Sequence, residues 1–161
     1  MITVVQKLSS VQRSEMFRHL KTLAAEDRRL RFGTYMLDGA LEQYVSRIDF
    51  ARDKVFGVYG DDLRLVGMAH VALDRTRRYA ELGLSVEPSQ RGKGYGLALL
   101  NRGQLSAVTR GYATLFMHCL AENKIMIHLA RKAGLKLVIE HGEVDALLEL
   151  EATSHAAVAR E

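Results

Sequence analysis

Residues 86–96 read Val86-Glu87-Pro88-Ser89-Gln90-Arg91-Gly92-Lys93-Gly94-Tyr95-Gly96 and join an apolar run to a region of helical periodicity. The three glycines occupy every second position, so the backbone there can approach a ligand without a Cβ in the way. The N-terminus of a helix presents unpaired N–H groups and a partial positive charge, and both favour phosphate groups. The segment therefore predicts a strand, a pyrophosphate-binding turn and a helix, in that order.

Two well-known phosphate-binding motifs do not fit this turn. A P-loop requires Gly-Lys followed by Ser or Thr, whereas Lys93 is followed by Gly94. A dinucleotide fingerprint requires Gly-x-Gly-x-x-Gly, and Leu97 stands where its third glycine would be. What remains is the pattern Arg-x-x-Gly-x-Gly directly after a strand. The alternative interpretation is an ordinary flexible turn that binds no ligand.

Hydrophobic periodicity on both sides of the turn predicts a mixed α/β fold with one central sheet, antiparallel at its ends and parallel in the middle. Helices are expected to begin near Ser9, at Asp38 as an N-cap and after the glycine turn, and a last one to cover residues 123–133. Strands are expected over residues 2–7, 54–59, 63–73, 81–86, 113–119, 135–140 and 144–150.

Composition limits the class of protein further. A chain of 161 residues with 48% hydrophobic and 26% charged residues fits one globular domain, expected over residues 1–151, with a flexible tail over 152–161. The single cysteine, Cys119, excludes an internal disulfide, and no Cys/His cluster has zinc-site spacing. No leader or membrane-length apolar run is present, which predicts a cytoplasmic protein without a membrane partner. The net charge of +4 is scattered, so nucleic acid is not expected either.

The glycine turn resembles the pyrophosphate loop of the GNAT superfamily of acyl-CoA transferases. Two segments extend the resemblance: residues 81–86 directly before the loop, and residues 121–135, which look like the family's Asn-initiated helix with Leu135 replacing a Phe after Gly134. Residues 25–32, 48–50, 66–69 and 80–82 resemble the acetyltransferase domain of bacterial Pat-like protein lysine acetyltransferases, and about residues 5–150 can be followed. We expect no counterpart of the additional regulatory or CoA-ligase-like domain of those enzymes.

The resemblance implies a GNAT-type fold of about seven strands and about four helices, in which two splayed strands form a cleft for acetyl-CoA. It implies acetyl-CoA as co-substrate, no metal, and transfer of the acetyl group to a primary amine, either a protein lysine or a small molecule. It leaves homodimer formation open. A catalytically silent module that binds or senses acyl-CoA is the alternative function.

The same resemblance assigns cofactor-binding residues along the predicted cleft: Leu84, Val86, Arg91, Gly92, Lys93, Gly94, Tyr95, Gly96 and Asn123. The backbone N–H of Val86 is implied as the oxyanion donor. For Asn123 the alternative is a helix N-cap, and for Arg91 and Lys93 it is ordinary surface charge.

Glu81 is the candidate general base, because it matches the catalytic Glu of the Pat-like domains. An amine with a pKa near 10 is almost wholly protonated at pH 7 and must lose a proton before it attacks. The alternative is an exposed strand-end carboxylate paired with Arg77 or Arg78. Many relatives protonate the leaving thiolate with a Tyr, but Ala130 occupies that position, so water or Ser85 is left for this role.

Two charged groups bear on the acceptor. The run Arg28-Arg29-Leu30-Arg31 is expected at a helix C-terminus, where the helix dipole favours cations, with a docking face for an acidic protein as the alternative. Three acidic residues are candidates for attracting a cationic amine: Asp38, Glu42 and Asp49.

Overall fold

A seven-stranded mixed sheet lies at the centre of the computed structural model, which describes residues 2–150. The predicted tail of residues 152–161 lies outside the described residues. The helices are α1 (Arg13–Lys21), α2 (Ala25–Phe32), α3 (Asp38–Ser46), α4 (Tyr95–Thr109) and α5 (Lys124–Lys132). The strands are β1 (Gln6–Leu8), β2 (Lys54–Tyr59), β3 (Leu65–Leu73), β4 (Tyr79–Val86), β5 (Thr114–Leu120), β6 (Lys136–Glu140) and β7 (Glu143–Glu149).

The strands lie in the order β1-β2-β3-β4-β5-β7-β6. The pair β4 and β5 is parallel and the other neighbouring pairs are antiparallel, which confirms the predicted mixed sheet. Within residues 2–150, no helix has both the length and the apolar character needed to span a membrane.

The N-terminal helices differ from the prediction in number and in their start. Five helices are described instead of about four, because the first predicted helix is broken between Lys21 and Ala25: the Thr22 hydroxyl donates to the His19 carbonyl, and Leu23 turns into the core. Asp38 does not cap α3, as Leu37 occupies the N-cap position. The Asp38 carboxylate instead pairs with Arg28 at 2.9 Å.

Strands β4 and β5 separate after a short contact. They pair only from Tyr79 to Glu81, opposite residues 114–116, so within residues 2–150 the rest of β4 has no partner strand on that side. The N–H of Glu87 donates to the Val66 carbonyl of the neighbouring strand segment. Since backbone groups alternate along a strand, the amides of Leu84 and Val86 point the opposite way, into the gap. The expected splay is therefore present, and it exposes backbone donors.

The two faces of the sheet pack against different helices. Leu82 and Leu84 belong to a buried cluster with α4, whereas α1 and α3 form a second buried cluster on β2 and β3. Successive side chains of a strand point to opposite faces. Glu81, Gly83 and Ser85 therefore face the side that carries α1, α2 and α3.

Candidate active site

Two adjoining cavities flank the splayed part of β4. The larger cavity, about 500 Å³, runs from the glycine turn to the middle of β4. The smaller cavity, about 270 Å³, lies between β4, β5 and the ends of α2 and α3. Five residues line both cavities, so the cavities meet there: Leu30, Arg31, Leu84, Asn123 and Met126.

The glycine turn forms one end of the larger cavity. Gly92 and Gly94 have φ of +80° and +84°, a left-handed conformation that side chains rarely adopt. Gly94 occupies the N-cap position of α4 without a side-chain cap, so the first N–H groups of the helix stay available. A Cβ at Gly96 would lie 2.8 Å from Leu129 Cδ1, which shows how closely α4 approaches α5. The turn and the helix end form a cradle suited to an anion.

The two basic residues of the turn are held by protein partners. Arg91 lines the larger cavity and pairs with Asp27 of α2 at 3.2 Å. Lys93 is not among the residues that line it, and its Nζ donates to Gln90 Oε1 at 2.9 Å. Of the predicted turn residues, Lys93 is therefore the one that stands outside the cavity wall.

The opposite end of the larger cavity contains the other predicted cofactor residues. Leu84 and Val86 line it, together with Asn123 from the start of α5, whereas Tyr95 lines the end formed by the glycine turn. The Asn123 side chain accepts a hydrogen bond from the Met126 N–H at 3.1 Å and so also caps the helix, as its alternative reading predicted. Asn123 therefore both caps α5 and lines the larger cavity.

Glu81 lines the smaller cavity and is solvent-exposed. Among residues 2–150, no lysine, arginine or histidine nitrogen lies within 4.0 Å of its carboxylate, so the alternative pairing with Arg77 or Arg78 is not formed. The carboxylate lies near two other cavity residues. Burial raises the pKa of Tyr44 and the Asp145 hydrogen bond raises that of His118, and in both cases the charge of Glu81 adds to the effect.

A hydrogen-bonded chain that the sequence did not reveal forms the wall of the smaller cavity. His70 Nε2 lies 2.8 Å from Asp53 Oδ2, and His70 Nδ1 lies 2.6 Å from the Tyr44 hydroxyl. When the neutral imidazole donates its Nε2–H to the carboxylate, its Nδ1 accepts the Tyr44 O–H. The Tyr44 oxygen is then free to accept, and Arg31 Nη2 donates to it at 3.2 Å.

Asp53 fixes the buried end of this chain. Its side chain is 2% exposed and also accepts from Arg52 Nε at 2.8 Å and from the Leu73 N–H at 3.1 Å. Burial alone would raise the pKa of Asp53, but the hydrogen bonds from His70, Arg52 and Leu73 outweigh it and hold the pKa well below its usual range. The residues of this chain of hydrogen bonds come from distant parts of the sequence. The polar side chain of His70 inside an apolar strand was the one sequence feature that could have indicated it.

A second buried pair lies beside the larger cavity. His19 of α1 is fully buried, and its Nε2 lies 2.8 Å from the Oγ of Ser85, which lines the cavity. Its Nδ1 has no hydrogen-bond partner among the described residues. Ala130, in the position of the missing Tyr, lies on the buried face of α5 and packs into the core. Ser85 is therefore the hydroxyl that the protein places next to the exposed β4 amides.

We expect His19 to make the protein acid-sensitive. Burial lowers the pKa of His19 from 6.5 to about 4. Between these values the unfolded chain binds more protons, so the free energy of unfolding falls as pH falls, by about 2 kcal/mol from pH 7 to pH 5. Urea denaturation at both pH values should show this loss in the wild type and not in His19→Gln. An equal loss in both proteins would contradict the assignment.

A splayed parallel strand pair beside a glycine-rich helix start is the arrangement of an acyl-CoA-dependent acyltransferase. The chain belongs to the acetyltransferase (GNAT) family, whose model matches residues 17–135. It is therefore an N-acetyltransferase by class. No curated protein matches the sequence.

Solved structures with the same fold include three acetyltransferases of low sequence identity. The GNAT domain of S. lividans PAT is 17% identical, with a TM-score of 0.77 over 91% of this chain and 89% of that chain. A phosphinothricin acetyltransferase from Sinorhizobium meliloti in complex with AcCoA is 17% identical, with a TM-score of 0.73 over 93% and 89%. Spermidine N-acetyltransferase from Vibrio cholerae, in complex with CoA and spermine, is 19% identical, with a TM-score of 0.71 over 91% and 95%.

Proposed function

We propose that this protein transfers the acetyl group of acetyl-CoA to a primary amine, a protein lysine or a small molecule, by direct attack on the thioester. The junction of the two cavities carries this proposal. The larger cavity leads from the glycine turn to the exposed amides of Leu84 and Val86, and the smaller cavity opens beside them with Glu81 in its wall. A thioester at the junction is open to an amine from the smaller cavity.

The described residues fit acetyl-CoA along the larger cavity. The pyrophosphate is assigned to the N–H groups of the turn and of the first turn of α4, which Gly92 and Gly94 leave open. The pantetheine arm is assigned to the backbone of Leu84 and Val86, with Asn123 on the opposite wall. Arg91, Tyr95 and Gly96 complete the lining, and the assignment does not need Lys93.

The chemistry requires one proton to leave the amine and one to reach the thiolate. We assign the first proton to Glu81, whose carboxylate has no competing cation within 4.0 Å among the described residues. The amine nitrogen first forms the C–N bond, the Val86 N–H stabilises the resulting tetrahedral oxyanion, and the C–S bond then breaks to release the thiolate of CoA. The thiolate takes its proton from water or from Ser85.

The alternative function is a silent acyl-CoA-binding module, which Ala130 favours because its buried methyl group supplies no proton. Release of free CoA in the presence of amines separates the two functions.

We further propose that residues 1–151 form one catalytic domain of the Pat-like kind, which the position of Glu81 on β4 supports. A cytoplasmic location remains a proposal that rests on the single cysteine, Cys119.

Thermal denaturation with acetyl-CoA, CoA, ATP and NAD in parallel tests the cofactor site. At about 100 times its dissociation constant, acetyl-CoA should stabilise the fold by about 2.7 kcal/mol, which is several degrees in Tm for this size. ATP and NAD should leave Tm unchanged. Gly94→Val should abolish the acetyl-CoA shift, because its side chain would occupy the open space assigned to the pyrophosphate and would strain a φ of +84°.

Gly142→Val is the matched control, because Gly142 also has a positive φ, +79°, but belongs to the turn between β6 and β7 and lines neither cavity. It should lower Tm through the same backbone strain and keep the acetyl-CoA shift. A full shift in Gly94→Val would show that the glycine turn does not hold the cofactor.

A further inference from the structure

Arg31 differs from the other arginines of its run. Arg28 pairs with Asp38 and donates to backbone carbonyls, and Arg29 is bound between Glu26 and Glu122. Arg31 turns into the junction of the two cavities, and no carboxylate lies within 4.0 Å of it among residues 2–150. Its only side-chain hydrogen bond among the described residues goes to Tyr44. The protein thus holds a guanidinium with free N–H groups at the site of reaction.

The guanidinium is held in a defined orientation. Its Cζ lies 4.4 Å from the ring centroid of Phe32 and 5.8 Å from that of Tyr44. Tyr44 is itself fixed through His70 to the buried Asp53, which leaves the phenol oxygen as the acceptor for Arg31. Ordering a long side chain before binding removes an entropic cost from the binding step. This support is typical of a binding residue.

The strand beneath Arg31 has a glycine at the matching position. A Cβ at Gly83 would overlap the Arg31 guanidinium, so a side chain there would displace the cation from its place against β4. Gly83 stands two residues from Glu81 on the same strand face, a spacing of about 7 Å. A carboxylate and a guanidinium therefore stand side by side in one small cavity, next to the exposed amide of Leu84.

We propose that the acceptor is an amine that carries its own carboxylate, of the amino-acid class, with Arg31 binding the carboxylate and Glu81 facing the amine. This inference rests on the proposed acetyl transfer. A guanidinium binds a carboxylate through two parallel N–H bonds, and its free N–H groups here point to such a partner. A polyamine would instead bring a second positive charge against Arg31.

The acidic residues first considered for a cationic acceptor do not support a polyamine. Asp38 is paired with Arg28, and neither Glu42 nor Asp49 lines the smaller cavity. The volume of about 270 Å³ is at the lower end of small-molecule sites, which fits a compact acceptor. Charge and size therefore favour a free amino acid over a polyamine or a protein lysine.

The test measures CoA release by the full-length chain with acetyl-CoA and a panel of acceptors. The panel contains the twenty proteinogenic L-amino acids, their α-carboxamides, spermidine, and a lysine peptide with blocked ends. The best amino acid should exceed its own α-carboxamide in kcat/KM by about 10- to 100-fold, the effect of one hydrogen-bonded charge pair. In Arg31→Gln this ratio should fall to near one.

Two further variants sharpen the test. Gly83→Ala keeps the charge of Arg31 but displaces its guanidinium, so it should also lower the ratio. Arg102→Gln is the matched control, because Arg102 stacks on Phe56 at the same 4.4 Å but lines neither cavity. The ratio should be unchanged in Arg102→Gln.

The outcomes separate this inference from the proposed function. A preference for spermidine, the peptide or the carboxamides overturns the amino-acid class while acetyl transfer stands. An equal loss with amino acid and carboxamide in Arg31→Gln also overturns it, since the cation then acts on the thioester. Binding of acetyl-CoA without turnover of any amino acid overturns it too. Absence of acetyl-CoA binding would instead refute the proposed function.

Discussion

Glu81→Gln is expected to lower kcat by about 100- to 10,000-fold, the usual contribution of a positioned general base. The carboxamide has nearly the same shape but cannot accept the proton of an ammonium group at neutral pH. Acetyl-CoA affinity should not change, because Glu81 lines the smaller cavity and not the larger one. Steady-state kinetics by thiol release and acetyl-CoA titration by calorimetry measure the two quantities separately.

The pH dependence of the variant gives an independent readout. Without a base, only the neutral amine attacks, so the residual rate of Glu81→Gln should rise about tenfold per pH unit below the pKa of the amine. Glu149→Gln is the control, because Glu149 is also an exposed strand carboxylate but lies in β7 outside both cavities. Unchanged turnover in Glu81→Gln would remove Glu81 from the mechanism.

Local sequence signals were sufficient for most of the fold and for the segments that line the larger cavity. Strand β2 was predicted over the same residues that the structure shows, since a short apolar run and the glycine turn that follows define it within ten residues. The glycine turn and the Asn123 helix start were found for the same reason: the residues that form each feature are neighbours in sequence. The cofactor half of the candidate site is built from such segments.

The acceptor half depends on contacts between distant segments, and sequence patterns could not predict them. Arg31 and Gly83 meet although 52 positions separate them in the chain, and Tyr44, His70 and Asp53 come from α3, β3 and the loop before β2. From the sequence, Arg31 was predicted only as part of a cation cluster at a helix C-terminus. The helix dipole favours a cation at each of the three arginine positions, so it does not single out Arg31. Only the packing of α2 on β4 distinguishes Arg31 from its neighbours.

The chain from Asp53 to Arg31 shows how the core supports the candidate site. Asp53 satisfies a buried backbone N–H and orients His70, and His70 orients the phenol that holds the guanidinium. Stability and acceptor binding therefore share one set of hydrogen bonds. A substitution of Asp53 should therefore lower both the stability of the fold and the binding of the acceptor.

Asp53→Ala is expected to cost about 2 to 6 kcal/mol of unfolding free energy, because it leaves two buried N–H donors without an acceptor, at about 1 to 3 kcal/mol each. The Leu73 N–H and His70 Nε2–H lose their acceptor where water does not replace it, since Asp53 is 2% exposed. Urea denaturation measures this loss of free energy, and thermal denaturation should show a Tm lower by roughly 5 to 20 °C. Asp62→Ala, which removes an exposed carboxylate 3.8 Å from Arg64, should change stability by less than about 1 kcal/mol. A loss no larger than that of Asp62→Ala would mean that the Asp53 network does not hold the acceptor wall in place.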